Sequence, residues 1–365
     1  MLSPAQRRTL GLALGAAAVV GLQLGCQAAG RTYYLTQLTM AAYYSLVALG
    51  LSLVMGYAGQ VSLGHAAFFA VGGYTSAILT VTDFGAFASH GGGALLVRAG
   101  VLVARQDLYG AAIVTTAPWA AFLAALALTA VAAVAIGYPA LRLKGHYLAM
   151  ATLGFGLIVY RLLLAGRLTG GADGVTSVPP FPLGAGLAIG GDRALRVANY
   201  YVAWGLVLLV LLLLLNLVHS RVGRALRAIH EGETAAGAMG IPTGAYKFRA
   251  FLISALLASA AGSLLTHYNG GIGPSEAGAM KSVRYLALVA AGGMAHFPGV
   301  LAVSALLTFL SLRGCFGTLD SAVFGALLIA IVSLAPQGPL QPLGLWIRNR
   351  VRRLAGAGRA AHGAA

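Results

Sequence analysis

Long apolar runs separated by short polar stretches dominate the chain. A helix that crosses the hydrocarbon core of a bilayer needs roughly 20 mostly apolar residues. The runs 9–29, 34–56, 117–138, 197–218, 248–268 and 318–335 have that length or close to it. Two further segments give a weaker signal: 64–82, rich in Gly and other small residues, and 146–165. The run 284–312 is too long for one ordinary helix and is interrupted at Gly292-Gly293 and Pro298-Gly299. It predicts two spans, or two half-helices meeting near Pro298. The expected fold is an all-α polytopic transmembrane helix bundle of about 8–10 spans with discontinuous helices, forming a single transmembrane domain over 1–365.

Composition supports lipid as the solvent. The 365 residues are 59% hydrophobic and only 9% charged, against about 25% charged for a soluble domain. Too little polar surface is left to cover a water-soluble body. Gly occurs 51 times, about double its ordinary share, and small residues let membrane helices approach closely.

The net charge of +16 would suggest nucleic acid on a soluble chain. Here the bases collect at Arg7 and Arg8, between Arg221 and Arg249, and in a basic tail over 348–365. Such a distribution follows the positive-inside rule and excludes a nucleic-acid partner. It sets the N-terminus, the 219–249 loop and the C-terminus in the cytoplasm of an inner-membrane protein. Parity then asks for even numbers of spans between them: six before the loop and four after give about ten. Eight works if a marginal pair re-enters or lies in the interface. Segments 83–116 and 166–196 fall outside, with Gly91-Gly92-Gly93, Asp107, Asp173, Pro179-Pro180 and Asp192 as loop chemistry. Cys26 and Cys315 lack metal-ligand spacing and read as small buried hydrophobes. The run from Thr9 to Ala29 reads as a retained helix rather than a cleaved signal.

Three segments could carry chemistry. Gly56-Tyr57-Ala58-Gly59-Gln60-Val61-Ser62-Leu63-Gly64-His65 sets glycines, a Gln, a Ser and a His between two apolar runs. Non-helical backbone at membrane depth is tolerated only where it is buried in protein or lines a cavity, and broken helices offer backbone groups to a polar solute. The alternative is an ordinary turn with His65 hydrogen-bonded locally. Leu168-Thr169-Gly170-Gly171-Ala172-Asp173-Gly174 reads by itself as a Gly/Asp turn. Ser220 to Pro242 contains a helix-compatible stretch with Arg224, Arg227 and Glu231 on one face. Ala225, Ala228 and Ala236 add small residues, and Gly240 with Pro242 makes a stop. A short charged helix with a small-residue surface suits docking into a partner's cleft; a solvated connecting helix is the simpler reading.

With those residues in view, the chain resembles the permeases of branched-chain amino-acid ABC transporters, most closely the LivM-type subunit. The resemblance rests on Gly56 to Phe69, on Pro139-Ala140-Leu141-Arg142-Leu143-Lys144-Gly145-His146-Tyr147-Leu148-Ala149, on Thr169-Gly170-Gly171, and on Gly223-Arg224-Ala225-Leu226-Arg227-Ala228-Ile229. It runs from about Tyr33 to Ala335. It implies a LivH-like sister permease, two cytoplasmic ABC ATPase subunits, a periplasmic solute-binding protein and a lipid environment. It also implies a cytoplasmic coupling loop over 219–247, with Gly223, Arg224, Ala225, Arg227, Ala228, Glu231, Ala236 and Gly240 meeting the ATPase. The solute path is expected near Gly59, Gln60, Ser62, Gly64 and His65, with Gly170 and Gly171. Leucine, isoleucine and valine are the solutes this resemblance implies; urea and short amides occur in the wider group.

The chain is not expected to be an enzyme or to bind a cofactor, ATP being hydrolysed by partner subunits. It lacks G-x-x-x-x-G-K-[ST] and H-E-x-x-H, and no metal-ligand cluster stands out. A stand-alone ion-coupled secondary transporter is the competing reading. It would need acidic groups at mid-membrane depth, and none lies in the middle of a clear span.

Overall fold

The computed structural model describes residues 4–88, 91–106, 110, 112–141, 143, 145–184 and 186–334. The basic tail over 348–365, and Arg142 and Lys144 of the second motif, lie outside them. In lipid a backbone must satisfy its own N–H and C=O groups, which leaves helices as the means of crossing for such apolar runs. The chain passes from α1 (Pro4–Ala28) to α2 (Tyr34–Ser52), which a π-turn over Leu53–Tyr57 extends. Then come α3 (His65–Val81), the short α4 (Gly85–Ala88) and α5 (Gly91–Arg98), and an antiparallel hairpin of β1 (Leu102–Gln106) and β2 (Ala112–Thr116). Next are α6 (Pro118–Ala140), α7 (His146–Ala165), β3 (Val175–Thr176), β4 (Phe181–Gly184) and β5 (Leu187–Ile189). Helices α8 (Arg196–His219), α9 (Arg221–Glu231), α10 (Glu233–Ala238) and α11 (Thr243–Asn269) follow, then β6 (Gly271–Ile272). The described chain ends with α12 (Ala279–Gly292), α13 (Phe297–Leu312) and α14 (Asp320–Leu334).

Among the described residues, five helices are long and apolar enough to cross a membrane: Tyr34–Tyr57, Pro118–Ala140, His146–Ala165, Arg196–His219 and Thr243–Asn269. Helices α1, α3, α13 and α14 contribute shorter apolar stretches. The 284–312 run does divide in two. Its break falls at Gly293–His296, and Pro298 sits in the first turn of α13, where a missing N–H leaves no bond unmade. The His296 side chain caps that turn by accepting from the Gly299 N–H at 3.0 Å.

Helices α2 and α11 form the centre. The apolar window of α2 is 94% buried, against 28% for that of α6, so α2 is enclosed by protein and α6 faces outward. Helix α11 lies between α2, α3 and α6. It runs parallel to α3, with His65 beside Ser254 at one end and Ser76 beside His267 at the other. Hydroxyls supply bonds between helices: Thr129 to Ser259 at 2.9 Å, Ser304 to Ser45 at 3.0 Å, and Ser52 to the Met294 carbonyl at 2.6 Å. Such bonds and close backbone contact hold helices together where no hydrophobic force acts between them.

The strands all lie at the bundle end opposite α9. Segment 83–116, expected as a loop, contains two short helices and a hairpin. The Asp83 Oδ1 fastens the hairpin by accepting from the Gly85 and Val114 N–H groups, each at 2.9 Å. These two bonds hold the exposed Asp83 carboxyl below its ordinary value. Cys26 is half-buried, whereas Cys315 is exposed in the turn after α13, contrary to its expected burial.

Candidate functional site

Helix α9 begins immediately after α8. Ser220 caps it by accepting from the Val222 N–H at 3.2 Å. Burial follows a three-residue rhythm: Gly223, Leu226 and Ile229 face the bundle, while Arg221, Arg224, Arg227 and His230 are exposed. A Cβ on Gly223 would lie 2.1 Å from the Val218 carbonyl oxygen, so only glycine permits this sharp turn. Arg227 donates to the same carbonyl at 2.6 Å. Of the residues expected to meet a partner, Arg224, Arg227, Glu231 and Gly240 are exposed, and Ala225 and Ala228 are half-buried. Gly223 and Ala236 instead turn inward and hold α9 and α10 against the body. A 2.5 Å ion pair from Glu233 to Lys247 ties α10 to the start of α11.

Helix α9 rests on the predicted break. Residues 58–64 are non-helical, and Gly59 adopts φ 66° with its missing Cβ facing His230 Nδ1 at 3.0 Å. The π-turn preceding the break lies against the turn between α12 and α13. A Cβ on Gly56 would sit 2.0 Å from the Met294 carbonyl oxygen, and the Tyr57 hydroxyl donates to the Ala295 carbonyl at 2.7 Å. An unbroken series of contacts therefore runs from α9 through 53–60 to the C-terminal end of α12. Gln60, Ser62 and His65 are buried. His65 Nε2 shares a 2.6 Å hydrogen bond with the Ser254 hydroxyl, and Leu63 N–H donates to Thr152 Oγ1 at 3.0 Å. Gln60 Oε1 and His65 Nδ1 are buried without a partner.

Gly170 and Gly171 are not brought to this place. Gly64 packs on Thr152 near the start of α7, whereas Gly170 and Gly171 lie beyond the far end of that helix, some 20 Å away at 1.5 Å per residue. Gly170 has φ 72°, and a Cβ there would meet the Gly174 carbonyl oxygen at 2.0 Å. This turn delivers β3 to β6, with Val175 opposite Ile272 and Thr176 opposite Gly271. The pairing anchors the segment that follows α11.

That segment holds residues the sequence reading did not single out. After Gly270 the chain forms a 3₁₀ turn over Pro274–Ala277, which carries Glu276 back into the bundle. Tyr44, inside α2, donates to Glu276 Oε1 at 3.1 Å, and Lys281 Nζ donates to the same oxygen at 2.8 Å. Arg284 and Asp320 form a second ion pair nearby. Glu276 lies on the turn between α11 and α12 rather than within a span, so it leaves the expectation that no acid falls in the middle of a clear span unaltered. The available signal was Gly270-Gly271-Ile272-Gly273-Pro274 between two apolar runs, the same Gly-rich interruption that marked 56–64. Among the described residues no three His, Cys, Asp or Glu side chains converge as a metal site.

A family model described as the permease component of the branched-chain amino acid transport system matches residues 33–332. The high-affinity branched-chain amino acid transport system permease protein LivM of Salmonella typhimurium is 32% identical over 323 residues, covering 83% of this chain and 68% of the relative. LivM of Escherichia coli matches at the same identity and coverage. The corresponding LivH protein of Escherichia coli is 26% identical over 320 residues, covering 84% of this chain and 96% of the relative. No solved structure matches the chain.

Proposed function

This chain belongs to the family of branched-chain amino-acid transport permease components, and from that premise we propose that it moves branched-chain amino acids, with the motion driven through α9. It is a permease subunit of an ABC importer, a multi-pass inner-membrane protein of the LivM type. Its relatives include both LivM and LivH permeases, so a sister permease is its natural partner.

The finer reading is as follows. Two cytoplasmic ATPases hydrolyse the ATP, the chain supplying no nucleotide site of its own, and a periplasmic binding protein delivers the solute. The α9 end and both termini face the cytoplasm, and the hairpin end faces the binding protein. The observation that carries this reading is the seat of α9. Its buried side is locked onto the bundle by Gly223, Leu226 and Ile229, while its arginine face is left exposed. Movement of α9 would pass to the non-helical 58–64 segment through the His230–Gly59 contact, and from the π-turn to α12 through Gly56 and Tyr57. Gln60, Ser62 and His65 belong to the movable segment of that pathway, and Gly170 and Gly171 shape its opposite end.

Charge reversal tests the role of α9. Arg224→Glu, in the complete transporter, is expected to lower ATP-driven uptake of labelled leucine about tenfold or more. The affinity of the isolated binding protein for leucine should not change. Normal uptake by this variant would remove α9 from the drive.

A further inference from the structure

Glu276 and Lys281 lie between the helices, with side chains 19% and 24% exposed. Tyr44, which bonds Glu276, lies ten residues into α2 from Tyr34, about 15 Å along the helix. That distance is half the thickness of a hydrocarbon core of about 30 Å. Ionisable groups at such depth are costly and mark solute or ion pathways. Lys281 Nζ also lies 4.9 Å from the centre of the Tyr44 ring, so each member of this trio touches the other two.

The pair is not saturated. Glu276 Oε2 is buried and has no hydrogen-bond partner. The hydroxyl of Tyr285, whose ring centre is 6.3 Å from that of Tyr44, is also buried and unpartnered, as is that of Tyr74. An ionised carboxylate oxygen can only accept, so what is missing beside Glu276 is a donor, best a cationic one. Each partner of the pair fronts a different space. Glu276 lines a cavity of about 80 Å³ with Phe69, Leu265 and Ile272. Lys281 lines one of about 230 Å³ with Met280, Arg284 and Phe324. Thr266 and Asn269 add polar groups to the first wall, and Ser275 and Ser321 to the second.

We propose that Glu276, Lys281 and Tyr44 form an intramembrane station that recognises the zwitterionic head of an α-amino acid. Building on the transport reading above, the solute's ammonium takes the free side of Glu276 and its carboxylate takes Lys281, while an aliphatic side chain packs on Phe69, Leu265 and Ile272. The internal ion pair gives way to two external ones, so both charges stay paired throughout, as burial demands. An empty pathway is closed by the pair itself. The station lies just past the head of α12, whose other end meets the π-turn contacted through the α9 pathway. The station can therefore open and close with that movement.

The test uses the complete transporter, with its sister permease, ATPases and binding protein, in proteoliposomes. Wild type is compared with Glu276→Gln, Lys281→Met and the double variant. Each single change is expected to lower labelled leucine uptake about tenfold or more, while ATP hydrolysis stimulated by the loaded binding protein continues. Should a single variant fail to assemble, the double variant carries the test, because it leaves neither charge unpaired; it is expected to assemble and still not transport. Leucine uptake at the wild-type rate by the double variant would overturn the proposal and reduce the pair to a structural contact. If instead the wild-type complex hydrolyses ATP but moves no aliphatic amino acid, the substrate reading falls and this station falls with it. The two failures are thereby told apart.

Discussion

Two glycines allow backbones to touch at positions that decide how the helices fit. A Cβ on Gly56 would lie 2.0 Å from the Met294 carbonyl oxygen, and one on Gly262 would lie 2.0 Å from the Phe69 carbonyl oxygen. No flexible side-chain end is involved, so whole helices must shift to admit a methyl group. Gly56→Ala and Gly262→Ala are each expected to destabilise the protein by about 1–3 kcal/mol, although alanine is the better helix former. Gly154→Ala, with nothing within 4 Å of the added atom, provides the control and should be neutral or slightly stabilising. Thermal unfolding of the three purified variants in one detergent checks this. Equal midpoints for all three would mean that the close contacts carry no energy. At this scale the sequence was informative about residue type and poor about partners. His65 was legible as a polar residue among apolar ones, but not its bond to Ser254, 189 positions away. Glu276 was passed over because its importance depends on Tyr44 and Lys281 being folded against it.

Helix α9 shows the same division among the elements. Its presence followed from the helix-compatible stretch between Ser220 and Pro242, whereas its start at Arg221 behind the Ser220 cap is seen only in the structure. Its orientation did not follow. The arginines point away from the bundle as expected, whereas Gly223 and Ala236 face inward, because a glycine is needed wherever α9 crosses the end of α8. Segment 83–116 was read as loop from its glycines, yet Leu102–Gln106 and Ala112–Thr116 pair as a hairpin. Alternation over five residues is too brief a signal to compete with long apolar runs. That hairpin gives a pH prediction. The Asp83 carboxylate accepts two backbone N–H bonds that favour its charged form, so its folded value lies below its unfolded one. Its contribution is fully present above the unfolded value, about 4, and is lost as pH falls through the lowered folded value. Hydrogen exchange at the Val114 amide should therefore lose protection, relative to its intrinsic rate at each pH, on acidification through that window. In Asp83→Asn it should be faster at neutral pH and should lack this acid-dependent change in protection. Identical pH profiles in the two proteins would remove Asp83 as the fastening.

Across the whole molecule, membrane residence and the helical bundle were legible because they rest on summed hydropathy, which no single misplaced boundary can overturn. The six helices α1, α2, α3, α6, α7 and α8 before α9, and α11 to α14 after it, follow the expected ordering. Hydropathy alone did not place α2 inside the protein and α6 facing outward: α6 is the more apolar of the two, but both are apolar enough to span. The turn that carries Glu276 escaped it as well, whereas the break that carries Gln60 and leads to His65 showed as a Gly-rich interruption between two apolar runs. The central claim is that this permease is driven by partner ATPases rather than by an ion gradient. It is tested most directly by leucine accumulation in proteoliposomes of the complete transporter, with ATP supplied to the ATPase side and ion gradients collapsed by ionophores. Accumulation that requires ATP and the binding protein and is indifferent to ionophores is the predicted result. Uptake that proceeds without ATP and stops when the gradients collapse would contradict it.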